Sequence, residues 1–147
     1  MIFETTRFGS LEIPDEEVIV FPEGIPGFSG RRYVLFHNED APLVQWLQSV
    51  DEPDVALMTV DPGDLLLAYA PNFDEADIRP VCLAAGSGDE RQVRVIIRNA
   101  EIAGHLRINL FAPLLFNVDK RLGMQVPLLG SSHPVSALWP PASSENS

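Results

Sequence analysis

Gln92 to Leu110 reads QVRVIIRNAEIAGHLRINL, and the fold turns on this stretch. His105-Leu106-Arg107-Ile108-Asn109-Leu110 alternates polar and apolar at every step, the period of a strand with one wet face. Val93-Arg94-Val95-Ile96-Ile97-Arg98 alternates almost as regularly. Outward from there the same grain recurs: short apolar or alternating runs between turn residues. Strands are expected over 2–6, 16–21, 33–37, 44–48, 55–60, 65–70, 81–85, 92–99, 105–110, 114–117 and 124–129. Gly86-Ser87-Gly88-Asp89-Glu90 joins two of these runs and reads as a hairpin loop. One segment is expected to be helical for a turn or two. Asn72 to Arg79 starts on a capping residue, carries acids in its first turn and stops at Pro80. The expected class is all-β: a small antiparallel, barrel-like domain of about ten short strands with one short helix.

The chain has 147 residues, one domain's worth, and no apolar run approaches the roughly 20 residues that span a bilayer. The start, Met1 to Arg7, lacks a basic region leading into an apolar one, so it does not read as a signal peptide. With one cysteine, Cys82, no internal disulfide forms, and the expected compartment is the cytoplasm. Cys82 itself reads as a small buried hydrophobe. The expected division is a single β domain over 1–130 and a Pro/Ser-rich flexible tail over 131–147.

Net charge is −11 and unevenly spread. Residues 1–78 hold 16 acids against Arg7, Arg31 and Arg32, and residues 79–147 hold five acids against seven bases. An acidic surface repels phosphate backbones and speeds docking of a basic protein. It also keeps a protein soluble, and charge alone does not choose between these roles.

Sites of catalysis or metal binding are not legible. His37, His105 and His133 are scattered without ligand spacing and read as surface or strand residues. Gly86-Ser87-Gly88 lacks the third glycine and the long helix of a dinucleotide loop. Gly27-Phe28-Ser29-Gly30 does not match a nucleophile elbow. Asp51-Glu52-Pro53-Asp54 lacks the ligand ladder of a calcium loop and reads as a solvated turn. No catalytic residue, metal or cofactor is expected.

Three loops carry more specificity than connectors need. Phe21-Pro22-Glu23-Gly24-Ile25-Pro26-Gly27-Phe28 follows the apolar run Val18-Ile19-Val20. Its prolines end the strand and stiffen the chain, and its glycines permit positive φ or close approach. It reads either as a barrel corner or as a rigid docking surface, with Phe21 inward and Ile25 and Phe28 partly exposed. The second loop is Trp46-Leu47-Gln48-Ser49-Val50-Asp51-Glu52-Pro53. The third is Asn109 to Asn117, with Pro113 inside it, followed by Gly123-Met124-Gln125-Val126. The amides of Gln48, Asn109, Asn117 and Gln125 suit either a partner or the loop backbone around them. Acids flank the first two loops: Asp15, Glu16, Glu17 and Glu23 near one, Asp51, Glu52 and Asp54 near the other. If the strands pair as a barrel, both groups can lie on one rim, although sequence alone does not place them together.

In this order, the Phe-Pro-x-Gly-Ile-Pro-Gly-Phe loop, the Leu-Gln-Ser with its following Pro, Asp61-Pro62, Tyr69, Asn-Leu-x-Ala-Pro with its trailing Asn, and the Gln-Val strand resemble the FliW family of flagellar assembly factors. The resemblance covers Ile2 to Leu129. It departs at Ser132-His133-Pro134-Val135, where the family usually carries an aromatic and a basic residue. It implies a monomeric, largely antiparallel barrel-like fold and a role in flagellin homeostasis rather than catalysis. FliW-like proteins bind cytoplasmic flagellin, and when freed they bind CsrA, a small basic RNA-binding dimer. That relieves repression of flagellin mRNA non-competitively, from beside the RNA-binding face. The rival expectation is an acidic nucleic-acid mimic that competes directly for the RNA site of a basic regulator. The residues expected to meet a partner are Glu16, Glu17, Phe21, Glu23, Gly24, Ile25, Pro26, Gly27, Phe28, Gln48, Ser49, Asp51, Glu52, Asp54, Asn109, Pro113 and Asn117.

Overall fold

The computed structural model describes residues 1–38, 41–65 and 67–141. Eleven short strands run through it: β1 (Ile2–Thr5), β2 (Gly9–Glu12), β3 (Ile19–Val20), β4 (Arg32–Asn38), β5 (Ala41–Ser49), β6 (Ala56–Val60), β7 (Arg91–Asn99), β8 (Leu106–Ile108), β9 (Leu114–Asn117), β10 (Leu122–Gln125) and β11 (Ala137–Trp139). β1 and β2 form a separate hairpin, and the other nine make one sheet. The sheet closes because β7 serves two partners along one edge. Its first half, Arg91 to Arg94, pairs with β9, and its last residues, Ile97 to Asn99, pair with β8. A ring β3-β4-β5-β6-β7-β9-β10 results, with β8 and β11 leaving it as a flap. Every pairing is antiparallel except β3 with β10, where Leu122 lies beside Val20.

Period-two alternation sorts the side chains. Ile19, Phe21, Ile25, Tyr33, Leu47, Leu114 and Phe116 form the first core cluster. Phe21 meets Tyr33 and Phe116 edge-on, with ring centroids 5.0 and 5.8 Å away. A second cluster joins Ile78, Val81 and Leu83 to Leu115, Met124 and Val126, so the irregular stretch before β7 is packed onto β9 and β10. A third joins Val60, Val95, Ile97 and Ile108, with Leu67, Tyr69 and Trp139 against it. The hairpin turn brings Phe8 onto Phe36 and Trp46, at 4.6 and 5.3 Å, and Arg7 over the Trp46 ring. Arg94 is a buried cation held by Thr59: Nε donates to Oγ1 at 2.8 Å and Nη2 to the carbonyl at 3.2 Å.

The all-β, barrel-like expectation holds, with corrections. The helix expected over 72–79 is absent. Asp77 N–H closes a single turn on the Asp74 carbonyl, and only a 3-10 turn, Arg79–Val81, follows. A helix there would nucleate at a cost its few residues cannot recover, and Pro80 supplies no N–H to extend it. Residues 81–85 are not a strand, and Gly86 to Glu90 is therefore not a hairpin loop. Val81 and Leu83 are buried by packing on β9 and β10 rather than by a ladder. The strand expected over 65–70 is also absent: Pro62–Leu65 is a 3-10 turn, and 67–70 is irregular although Leu67 and Tyr69 pack on the core; Leu66 lies outside the described residues. The expected strand 16–21 shrinks to Ile19–Val20 behind a 3-10 turn, Asp15–Glu17. Polar Gly9–Glu12 forms β2 because its partner β1 supplies the ladder. Ala137–Trp139, expected in a flexible tail, pairs with β8 as β11; residues 142–147 lie outside the described residues. Cys82 is exposed rather than buried, because its backbone turns into the left-handed region (φ 60°) where the 3-10 turn ends.

Candidate functional site

The Pro/Gly loop is built from within. Phe21 N–H donates to the Arg31 carbonyl at 2.7 Å, so the loop's two ends meet as a ladder. Gly24 N–H closes a turn on the Phe21 carbonyl, and Phe28 N–H closes another on the Ile25 carbonyl. The second turn needs positive φ at its third residue, which Gly27 (94°) supplies, and Gly24 (69°), closing the first turn, is also in the left-handed region. Phe21 is fully buried under the loop. Gly123 on β10 makes room for it, since a Cβ there would lie 2.7 Å from Phe21 Cζ. Ile25 is also buried, 2% exposed, so the expectation that it is partly exposed is corrected: the two turns fold it back into the core beside Tyr33. Phe28 is 37% exposed, and Glu23, Pro26 and Gly27 face solvent with it.

The second loop is brought against the first. Ser49 Oγ accepts the N–H groups of Asp51 and Glu52 at 3.1 and 2.8 Å, which turns both carboxylates toward residues 29–32. Glu52 Oε1 accepts the N–H groups of Ser29 and Gly30, both at 3.0 Å. Asp51 Oδ2 accepts those of Arg31 and Arg32, both at 3.1 Å, while Oδ1 takes Arg32 Nε and Nη2 at 3.0 and 2.6 Å. The Arg32 hydrogen bond and these backbone donors hold the Asp51 carboxyl below the usual carboxylate range, against the opposing effect of burial. Burial, with the charges of Glu52 and Asp51, pushes the Tyr33 hydroxyl up to about 12. Gln48 is buried, and its Nε2 donates to the carbonyls of Ser49 and Pro53. Thr6 reaches across from the hairpin to Asp54, hydroxyl to carboxylate, and its N–H donates to the Pro53 carbonyl.

The stretch Asp51 to Asp54 is an exposed turn, as expected, but its carboxylates are not idle. They are spent as acceptors inside the molecule, because four consecutive loop N–H groups, 29 to 32, would otherwise go without a protein partner. The acids left free beside the Pro/Gly loop reduce to Glu23, which has no ion pair among the described residues.

Glu16 and Glu17 are elsewhere. They precede the two-residue β3, whereas the loop follows it. The Glu17 carbonyl accepts Arg121 Nη2 at 2.8 Å, beside the β9–β10 turn. Asp15 meets the Met1 amino group at 3.2 Å, and Glu16 and Glu17 are exposed.

The third loop's amides are structural fasteners. Asn109 Oδ1 accepts Ala112 N–H at 3.0 Å. Buried Asn117 donates to the Val81 carbonyl and to Asp89, both at 2.9 Å, and accepts Lys120 N–H. Gln125 Nε2 donates to the Ala112 carbonyl, and buried Pro113 offers its carbonyl to Val126 N–H. Asn109 to Asn117 reaches the Pro/Gly loop through the core, where Phe116 meets Phe21 and Leu114 shares its cluster with Phe21 and Ile25.

Sequence reasoning passed over Gly30, Arg32 and Gly123. Arg31-Arg32 is the one basic pair in the acidic first half, and a serine two residues before Asp51 is a turn signal; together these could have suggested the clamp. Gly30 lies so close to Ser49 that a Cβ would come within 2.9 Å of its Oγ.

Nothing in this arrangement brings a nucleophile and a base together, and no cluster of three His, Cys, Asp or Glu able to hold a metal occurs among the described residues. No helix among them is long and apolar enough to cross a membrane. What the geometry offers is a pre-ordered protein surface, with Glu23, Pro26, Gly27 and Phe28 presented on a loop whose backbone is already hydrogen-bonded.

The profile of the family described as "FliW protein" matches residues 2–138. A flagellar assembly factor FliW of Azoarcus sp. (strain BH72) is 40% identical over 132 residues, covering 85% of this chain and 89% of that one. The corresponding protein of Caldicellulosiruptor saccharolyticus is 35% identical, covering 87% and 83%. A crystal structure of the flagellar assembly factor FliW superposes with a TM-score of 0.82 at 28% identity, over 92% of this chain and 94% of that one.

Proposed function

This chain belongs to the FliW family of flagellar assembly factors, and from that premise we propose that it binds flagellin in the cytoplasm and, when free, binds CsrA and antagonises it non-competitively. The observation that carries the proposal is the clamp of Asp51 and Glu52 on residues 29–32. It orders the Pro/Gly loop before any partner arrives, so docking loses little backbone entropy. Phe28 supplies an aromatic anchor and Glu23 a free charge beside it, a pairing suited to a basic partner with an apolar patch.

Direct mimicry of RNA draws less support. A phosphate mimic needs several outward carboxylates in a row, and at this loop Asp51, Glu52 and Asp54 are engaged internally. The protein acts as a monomer in this proposal, and it has no catalytic role.

The test is RNA displacement from CsrA at rising concentrations of this protein. Non-competitive action leaves a residual RNA affinity that further protein does not lower. A decline without limit, restored by added RNA, would assign competition instead. Phe28→Ala is expected to weaken CsrA binding about tenfold, the loss of one anchor side chain, while the fold stays intact.

A further inference from the structure

β8 pairs with the last residues of β7, and a cavity of about 250 Å³ opens there between β7, β8 and the chain entering β11. Arg98 on β7 stands directly opposite Arg107 on β8, a like-charge pair that destabilises a ladder unless an anion offsets it. One carboxylate does so in part. Glu101 accepts Arg107 Nε and Nη2 with its two oxygens, and the Arg107 hydrogen bond holds that carboxyl down to about 2, so it stays ionised. Arg107 Nη1 donates to the Ser136 carbonyl at 3.2 Å. Arg98 is left over. It has no ion pair among the described residues, and its hydrogen bond there is a long one, Nη2 to Ser136 Oγ at 3.4 Å. Asn109 adds a further donor to the cavity wall. Its Oδ1 is fixed by Ala112 N–H at 3.0 Å, which leaves Nδ2 as the uncommitted end of the amide. Ile96 and Val135 give the cavity apolar lining.

We propose that this cavity binds a small aliphatic monocarboxylate, its oxygens held by Arg98, Asn109 Nδ2 and the Ser136 hydroxyl, its alkyl end against Ile96 and Val135. Polarity selects the head group. The uncommitted side-chain groups lining the cavity are donors: the Arg98 guanidinium, the Asn109 amide and the Ser136 O–H. The acceptors beside them, Glu101 and the Ser136 carbonyl, are taken by Arg107. A cation finds no ligand there. An acceptor-only group finds three donors, and a guanidinium fork matches a carboxylate through two parallel hydrogen bonds. Charge and size narrow the class. Arg98, Arg107 and Glu101 together leave one positive charge, which one carboxylate neutralises. A doubly charged phosphate monoester overshoots that balance in a chain of net charge −11, and a nucleic acid meets the same repulsion along its length. The cavity lies below the roughly 300–1,000 Å³ of pockets for larger ligands, which leaves room for a body of a few carbons. Its donors come from β7, from the residue after β8 and from the residue before β11, so an occupant fastens the flap to the ring.

The probe is isovalerate, read by titration calorimetry and thermal melts of the full chain at constant ionic strength. A ligand that binds only the folded state raises the melting temperature as its concentration rises, and the wild type is expected to show that rise together with a saturable heat. Isovaleramide has the same shape without the charge and is expected to do neither. Arg98→Gln is expected to weaken isovalerate binding about tenfold or more. Its unliganded melting temperature is expected to be unchanged or higher, because the like-charge pair is gone. Asn109→Asp keeps an oxygen for Ala112 N–H but sets a second carboxylate against the ligand, so it is expected to keep the fold and abolish binding. Absence of a saturable heat with the wild type, equal binding by Arg98→Gln, or equal binding of isovaleramide would overturn the proposal. Tighter binding of inorganic phosphate than of isovalerate would also overturn it and give the cavity to a phosphorylated ligand.

Discussion

Gly123→Ala is expected to disturb the loop from beneath without touching its surface. The added Cβ would lie 2.7 Å from Phe21 Cζ, 2.8 Å from Phe21 Cε1 and 3.1 Å from Phe116 Cδ1. Carbon contacts below 3.0 Å are repulsive, and the ring is not free to leave, since Tyr33 and Phe116 hold it edge-on. Overpacking of this kind costs roughly 1–3 kcal/mol. Alanine returns about 0.4–1 kcal/mol by restricting the unfolded chain, as Gly123 is not in a left-handed conformation. The net is a loss of about 1–2 kcal/mol, and in a domain of this size roughly 2–4 °C of melting temperature goes with each kcal/mol. Thermal and urea melts should therefore show a fall of about 2–8 °C with an unchanged m-value. Phe21→Leu removes Cζ and so relieves the clash. The double variant should be more stable than the sum of the two single changes by about 1 kcal/mol. An unchanged melting temperature for Gly123→Ala, or strict additivity in the cycle, would refute the reasoning.

Ile25→Asp places a carboxylate in the core beside Tyr33 and Leu47, and should destabilise by about 3 kcal/mol or more, seen as loss of the cooperative melt. Asp51→Asn should lower stability at neutral pH. The folded carboxyl is depressed below its ordinary value of 3.8, so its contribution is complete above that value and fades as pH falls through the lower folded one. Wild-type and Asp51→Asn urea midpoints should accordingly converge in acid; a gap that widened there would contradict the clamp. Glu23→Lys should slow CsrA association at low salt, read by surface plasmon resonance, and less so at high salt, because Glu23 is exposed on the loop that carries Phe28.

The class of fold was legible because it rests on local grain. Val93 to Arg98 and His105 to Leu110 alternate, and alternation has one meaning on a pleated backbone. The Pro/Gly loop was legible as a rigid corner for a similar reason: proline and glycine act through their own dihedral limits, wherever the rest of the chain lies. The sequence by itself also determined the charge asymmetry and, through motif order, the family. Tertiary structure alone decided which acids remain free. Asp51 and Glu52 look like surface charges in the sequence, yet the N–H groups they accept lie 19 to 23 residues upstream, and no local rule pairs those positions. Ile25 went inward because Gly24 and Gly27 turned the chain back over Phe21, and Val81 with Leu83 was buried without a ladder because β9 and β10 had an apolar face to cover. Pairing and burial are long-range: their free energy depends on which surfaces the closed ring leaves open, and that is settled only when all its strands are in place.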